Sequence, residues 1–153
     1  MSALTVLSPA AGLVVALGEV PDPVFSAELV GPGVAIDPSG AEHAQVVAPV
    51  EGTVVKMHPH AFVVETADNR GVLVHLGIDT VQLGGEGFTL HVTEGARVRA
   101  GQVVVTWDPA AVVAGGRSAV CPVVALDAGG AALTLLARAG DEVAAGEPLL
   151  EWA

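Results

Sequence analysis

Five histidines carry most of the reactive chemistry in this chain: His43, His58, His60, His75 and His91. His75 sits in "GVLVHLGIDTV", an otherwise apolar strand running into a glycine. Strand alternation places Leu73, His75 and Gly77 on one face and Val72, Val74 and Leu76 on the other. A polar ring among such neighbours is either buried with a hydrogen-bond partner or set in a shallow apolar bowl. His60 opens the preceding strand, "HAFVVET", and the connection "ADNRG" has turn chemistry at Asn69 to Gly71. The two strands are expected to pair as a hairpin, with His60 and His75 roughly equidistant from its turn and therefore close together. Two imidazoles on one patch suit a metal site, or a nucleophile with a stabilising helper. Their spacing leaves both open.

The elements that must position them are short strands. Hydrophobic residues make up 52% of the chain but aromatics only 3%, so Val, Ala and Leu must fill the core. Val-rich segments broken by 19 Gly and 10 Pro read as many strands joined by tight turns. Two internal repeats organise them. "SPAAGLVVAL" from Ser8 recurs as "APVEGTVVKM" from Ala48, and "VTEGARVRAGQVVVTWD" from Val92 recurs as "ARAGDEVAAGEPLLEWA" from Ala137. Duplicated strand-turn units predict an all-β antiparallel sandwich or barrel with little helix, whose related halves share one core. Further strands are expected at "GVAI", "FTLHV" and "AALTLLA". "GEVPDPVFSAELVGPG" reads as a shaped surface loop, because Pro interrupts ladder bonding on both sides of Asp22. "DPAAVVAGG" reads as a short helix capped by Asp108, with Pro109 at its first position.

The 153 residues suit one domain, 1–153, large enough for a hydrophobic core. The formal net charge of −11 repels phosphate backbones and anionic lipid, so nucleic-acid and membrane-surface binding are not expected. Cys121, the single cysteine, allows no internal disulfide and lies in an apolar strand, so it reads as a core thiol of a reducing compartment. No window approaches the roughly 20 apolar residues of a membrane span, and no basic leader is present. A cytoplasmic monomer is the expectation.

"VPDPVFSAELVGPGVAI", "VAPVEGTVV", "HAFVVET", "VHLGIDTVQLGGEGF" and "EGARVRAGQVVVTWD" resemble, in unbroken order from about Ser8 to Ala125, the glucose-type enzyme IIA of the bacterial sugar phosphotransferase system. The resemblance implies an antiparallel β-sandwich. It also implies a phosphotransferase component with a phosphohistidine intermediate and no cofactor or metal. Such a domain takes a phosphoryl group from HPr and passes it to a cysteine on the IIB domain of a sugar permease of the glucose or N-acetylglucosamine type. By motif, His75 corresponds to the phosphorylated histidine and His60 to the second active-site histidine. "KMHPHAF" is shorter than the family's usual run, and His58 or Pro59 occupies the neighbourhood where a Thr is common. Phe25, Val34, Ile36, Phe62, Ile78, Val81 and Phe88 resemble the apolar docking ring around the histidines, with Asp79 and Glu86 as carboxylates for a basic partner.

A neutral imidazole, with an ordinary pKa of about 6.5, offers a nucleophilic nitrogen at cell pH. Exchange between protein nucleophiles then needs in-line placement and charge stabilisation. Three other readings compete. "His75-Leu-Gly-Ile-Asp79" and "His58-Pro-His60" match the zinc-ligand motifs of lysostaphin-type endopeptidases, but in reversed order. The G-x-x-V-x-x-G repeats and Lys56-Met57 evoke a biotinyl or lipoyl carrier, although such domains are about half this length. A purely structural interaction domain is the third possibility.

Overall fold

The computed structural model describes residues 3–153. Strands come in the order β1 (Leu4–Leu7), β2 (Gly12–Ala16), β3 (Gly33–Asp37), β4 (Ala44–Val47), β5 (Gly52–His58), β6 (Ala61–Glu65) and β7 (Gly71–His75). They continue with β8 (Thr89–Leu90), β9 (Arg97–Val98), β10 (Val103–Trp107), β11 (Cys121–Ala125), β12 (Leu133–Leu135), β13 (Glu142–Val143) and β14 (Pro148–Trp152). Every pairing is antiparallel. An eight-stranded sheet runs β13-β2-β3-β11-β7-β6-β5-β9, and two three-stranded sheets run β1-β14-β12 and β4-β10-β8. The fold is an antiparallel β-sandwich.

The sequence repeats explain this plan. β2 and β5, from the first repeat, pair with β13 and β9, from the second, at opposite ends of the large sheet. The strands that close the later repeats, β10 and β14, are the central strands of the two small sheets. Between the layers lies the main core, where Val54, Phe62, Val64, Val74 and Leu76 pack with Val104, Trp107, Leu149 and Leu150. A second apolar cluster covers the other face of the large sheet, built from Leu17, Val20, Phe25, Ala35, Ile78, Val120 and Val124. Both faces of β3, β7 and β11 are therefore covered.

Helix is confined to α1 (Pro23–Ser26), α2 (Pro109–Ala114) and three short 3₁₀ turns among the described residues. α2 forms as expected, with the Asp108 side chain accepting from the Ala111 N–H. The Pro-rich segment departs from the expected loop. Asp22 accepts from the Val24 N–H at 2.9 Å and Pro23 takes the first helical position, so one α-turn forms there. The same cap and proline that start α2 start α1. "FTLHV" yields only the two residues of β8, with His91 beyond its end. No helix among the described residues is long and apolar enough to cross a membrane.

Candidate active site

The β6–β7 hairpin brings the two histidines together. Ala61 pairs with His75, and the Leu76 N–H donates to the His60 carbonyl at 2.7 Å, one step beyond the paired strands. The His60 and His75 ring centroids lie 5.2 Å apart, edge to face at 70°. Val72, Val74 and Leu76 point into the main core, as alternation requires, while Leu73 and His75 face the second cluster. There α1 folds over the sheet and sets Phe25 5.2 Å from the His75 ring.

The loop after β7 orients that ring. His75 Nδ1 lies 2.6 Å from the Gly77 carbonyl oxygen. A carbonyl can only accept, so Nδ1 carries the proton and Nε2 is left with its lone pair. Two hydrogen bonds and one glycine conformation fix the loop itself. Thr80 Oγ1 donates to the Leu76 carbonyl at 2.7 Å, the Ile78 N–H donates to the Ser118 carbonyl at 2.9 Å, and Gly77 adopts φ +76°. Burial pushes the His75 pKa below its ordinary value, opposed by the Gly77 carbonyl and the carboxylates of Asp22 and Asp79. His60 is also held down, first by burial and then by the charges of His75 and His58. Both rings are therefore neutral at pH 7, and a neutral Nε2 is a nucleophile.

The expected docking residues divide. Val81 is 61% exposed, Asp79 and Glu86 are exposed, and Phe88 is half-buried, stacked on Trp107 at 5.7 Å. Val34, Ile36 and Phe62 are not surface residues: they lie on the inner face of the large sheet, within the main core. Phe25 and Ile78 are likewise buried, in the second cluster beneath His75, and form the floor of the site rather than its rim. Sequence reasoning missed Val24, 42% exposed, and Leu29, 70% exposed, which present apolar surface on and after α1. It also missed Asp22 as a charge felt by His75. The Asp-Pro cap signal, once read as a helix start, would have separated an outward Val24 from an inward Phe25.

Three imidazoles gather here rather than two, because the exposed His58 stacks on His60 with centroids 5.7 Å apart. His43 is exposed elsewhere, and His91 bonds Thr106 Oγ1 at 2.7 Å. No three His, Cys, Asp or Glu side chains are gathered as a metal site among the described residues. Lys56 lies inside β5, away from any hairpin tip.

Residues 4–129 match the family described as phosphoenolpyruvate-dependent sugar phosphotransferase system, EIIA 1. The chain belongs to the glucose-type enzyme IIA family. A glucose-specific EIIA component of Oceanobacillus iheyensis is 41% identical over 123 residues, covering 79% of this chain and 73% of that one. An N-acetylglucosamine-specific EIICBA component of Klebsiella pneumoniae is 40% identical over 96% of this chain, which spans only 22% of that longer protein. Among solved structures, glucose permease IIA from Mycoplasma capricolum superposes with a TM-score of 0.87 at 36% identity, covering 99% of this chain and 96% of that one. An enzyme IIA of this type is a phosphoryl carrier of the phosphotransferase system, so neither the endopeptidase nor the biotinyl-carrier reading is supported. The fusion of IIA to permease domains in relatives such as the Klebsiella protein associates this family with sugar permeases.

Proposed function

We propose that His75 Nε2 is the phosphoryl acceptor and that His60 steadies the group in transit. The observation that carries this reading is the short contact from His75 Nδ1 to the Gly77 carbonyl, which commits the ring to one tautomer with Nε2 free. In the first step the Nε2 lone pair attacks phosphorus on phospho-HPr. The new N–P bond forms as the donor's N–P bond breaks, and the electron pair returns to the HPr imidazole. In the second step a thiolate on a IIB domain attacks the same phosphorus, and the His75 N–P bond breaks to regenerate the neutral ring. Neither step needs a metal or cofactor; positioning and charge stabilisation suffice.

Val24, Leu29 and Val81 offer a partner exposed apolar side chains, and Asp79 and Glu86 offer exposed carboxylates. Together they suit a partner surface that is both apolar and basic, as required of HPr here. The chain acts as one monomeric domain on the cytoplasmic side, serving a permease of the glucose or N-acetylglucosamine class. Incubation with phosphoenolpyruvate, enzyme I and HPr, followed by mapping of the labelled residue, tests the reading. One acid-labile, base-stable phosphoryl group on His75 is expected. A label on any other residue overturns the assignment.

A further inference from the structure

The His60 ring makes no hydrogen bond to a described residue; its ring contacts are two other imidazoles. A donor that must meet a phosphoryl oxygen at one angle therefore takes its orientation from packing. The register shows how. His58 pairs with Ala61 across β5 and β6, and Ala61 pairs with His75 across β6 and β7. Directly opposed residues share a face, so His58, Ala61 and His75 form one row across three strands. The central position of that row is an alanine, and only Pro59 and His60 connect β5 to β6.

Two strand spacings separate the outer imidazoles, roughly 10 Å. The His60 ring spans that distance, 5.7 Å from His58 at 25° and 5.2 Å from His75 at 70°. It stacks on the first and lies steeply inclined to the second. Ala61 is buried although it lies on this outer face. A larger side chain there would occupy the gap that the His60 ring fills.

We propose that His58 is a positioning residue for phosphoryl transfer: stacked on His60 over the gap left by Ala61, it holds the His60 ring where one N–H reaches a phosphoryl group on His75. The proposal rests on His75 being the acceptor. His58 touches neither the phosphoryl group nor the reacting nitrogen, and acts only through His60. What matters at position 58 is a flat ring, since aromatic pairs hold each other by face and edge.

Single-turnover donation from the phosphorylated chain to a IIB domain tests this with four variants. His58→Ala is expected to slow donation about tenfold, because misplacing one participant in a transfer site is costly. His58→Phe keeps the stacking face and restores a near wild-type rate. Ala61→Val fills the gap and slows donation as His58→Ala does, with the His60 imidazole NMR signals shifted in both. In a His60→Gln background, His58→Ala adds no further loss, the non-additivity expected of two residues acting as one unit. Wild-type donation by His58→Ala, failure of Phe to rescue, or full additivity with His60→Gln would each overturn the proposal. Absence of label on His75 in the wild type would instead overturn the underlying assignment.

Discussion

His75 Nδ1 is held 2.6 Å from the carbonyl oxygen of Gly77, two residues further along its own chain. The proposed nucleophile is thus oriented by the loop it leads into, and that loop depends on a backbone conformation which glycine tolerates. At φ +76°, an added Cβ would sit 2.7 Å from Thr80 Cγ2 and 2.9 Å from the Ser118 carbonyl oxygen. Gly77→Ala should therefore cost at least about 1–2 kcal/mol from the left-handed backbone alone. A lower melting temperature, with slower phosphoryl acceptance in the folded fraction, is the expected result. Unchanged stability and rate would show that the Gly77 conformation is dispensable.

The two histidines of the proposed active site should fail differently. His75→Ala removes the attacking nitrogen, so no label should be incorporated from phospho-HPr. His60→Gln leaves that nitrogen in place but removes a donor for the phosphoryl oxygens. Acceptance should persist while donation to IIB falls by roughly 10²–10³, as when one charge-stabilising donor is lost. Rapid-quench kinetics in both directions measure the asymmetry, and equal losses would count against it.

Acceptance needs the neutral ring, and burial lowers the His75 pKa below 6.5 against the pull of the Gly77 carbonyl, Asp22 and Asp79. The acceptance rate should accordingly be flat above pH 6.5 and fall only on the acid side of it. Stability follows the same sign. Below the unfolded pKa the unfolded chain binds a proton that the native ring refuses. The contribution is therefore present above pH 6.5 and lost as pH falls through the depressed native value. Denaturant midpoints measured across that range should show a shallower acid-side loss in His75→Ala than in wild type.

Burial pushes the Cys121 thiol up to about 12, and its Sγ–H donates to the Ala119 carbonyl at 3.3 Å. With so little thiolate at neutral pH, alkylation of the native protein should be very slow. Reaction should appear only in denaturant. Fast labelling of the folded chain would mean that β11 opens readily.

Position in the sheet also separates docking from packing. Val81→Ala, at 61% exposure, should shift stability by no more than about 0.5 kcal/mol while weakening transfer from HPr. Phe62→Ala, at 1% exposure in the main core, should cost about 3–5 kcal/mol. Thermal melts read beside transfer rates distinguish the two. A Val81→Ala protein that transfers normally would remove Val81 from the docking surface.

Much of this was legible in the chain itself. Period-two apolar strands, the duplicated G-x-x-V-x-x-G units and the turn at Asn69–Gly71 pointed to an all-β sandwich or barrel, and the family resemblance singled out the antiparallel sandwich. The strands and the turn also determined a hairpin that juxtaposes His60 and His75. Those signals are local: alternation, turn chemistry and equal distance from a turn need no knowledge of distant residues. What covers each face was not legible, because alternation assigns a side chain to a face without saying whether that face meets water. Around β3, β7 and β11 both faces are covered, so Phe25, Ile36 and Phe62, which only the family resemblance assigned to a docking ring, are core in space. The Gly77 acceptor, the Asp22 charge and the stacking of His58 on His60 likewise arise only when the loop after β7, α1 and the β5–β6 turn converge on one patch. Sequence placed His75, the proposed nucleophile, on its strand; tertiary packing decided its tautomer, its charge state and its neighbours.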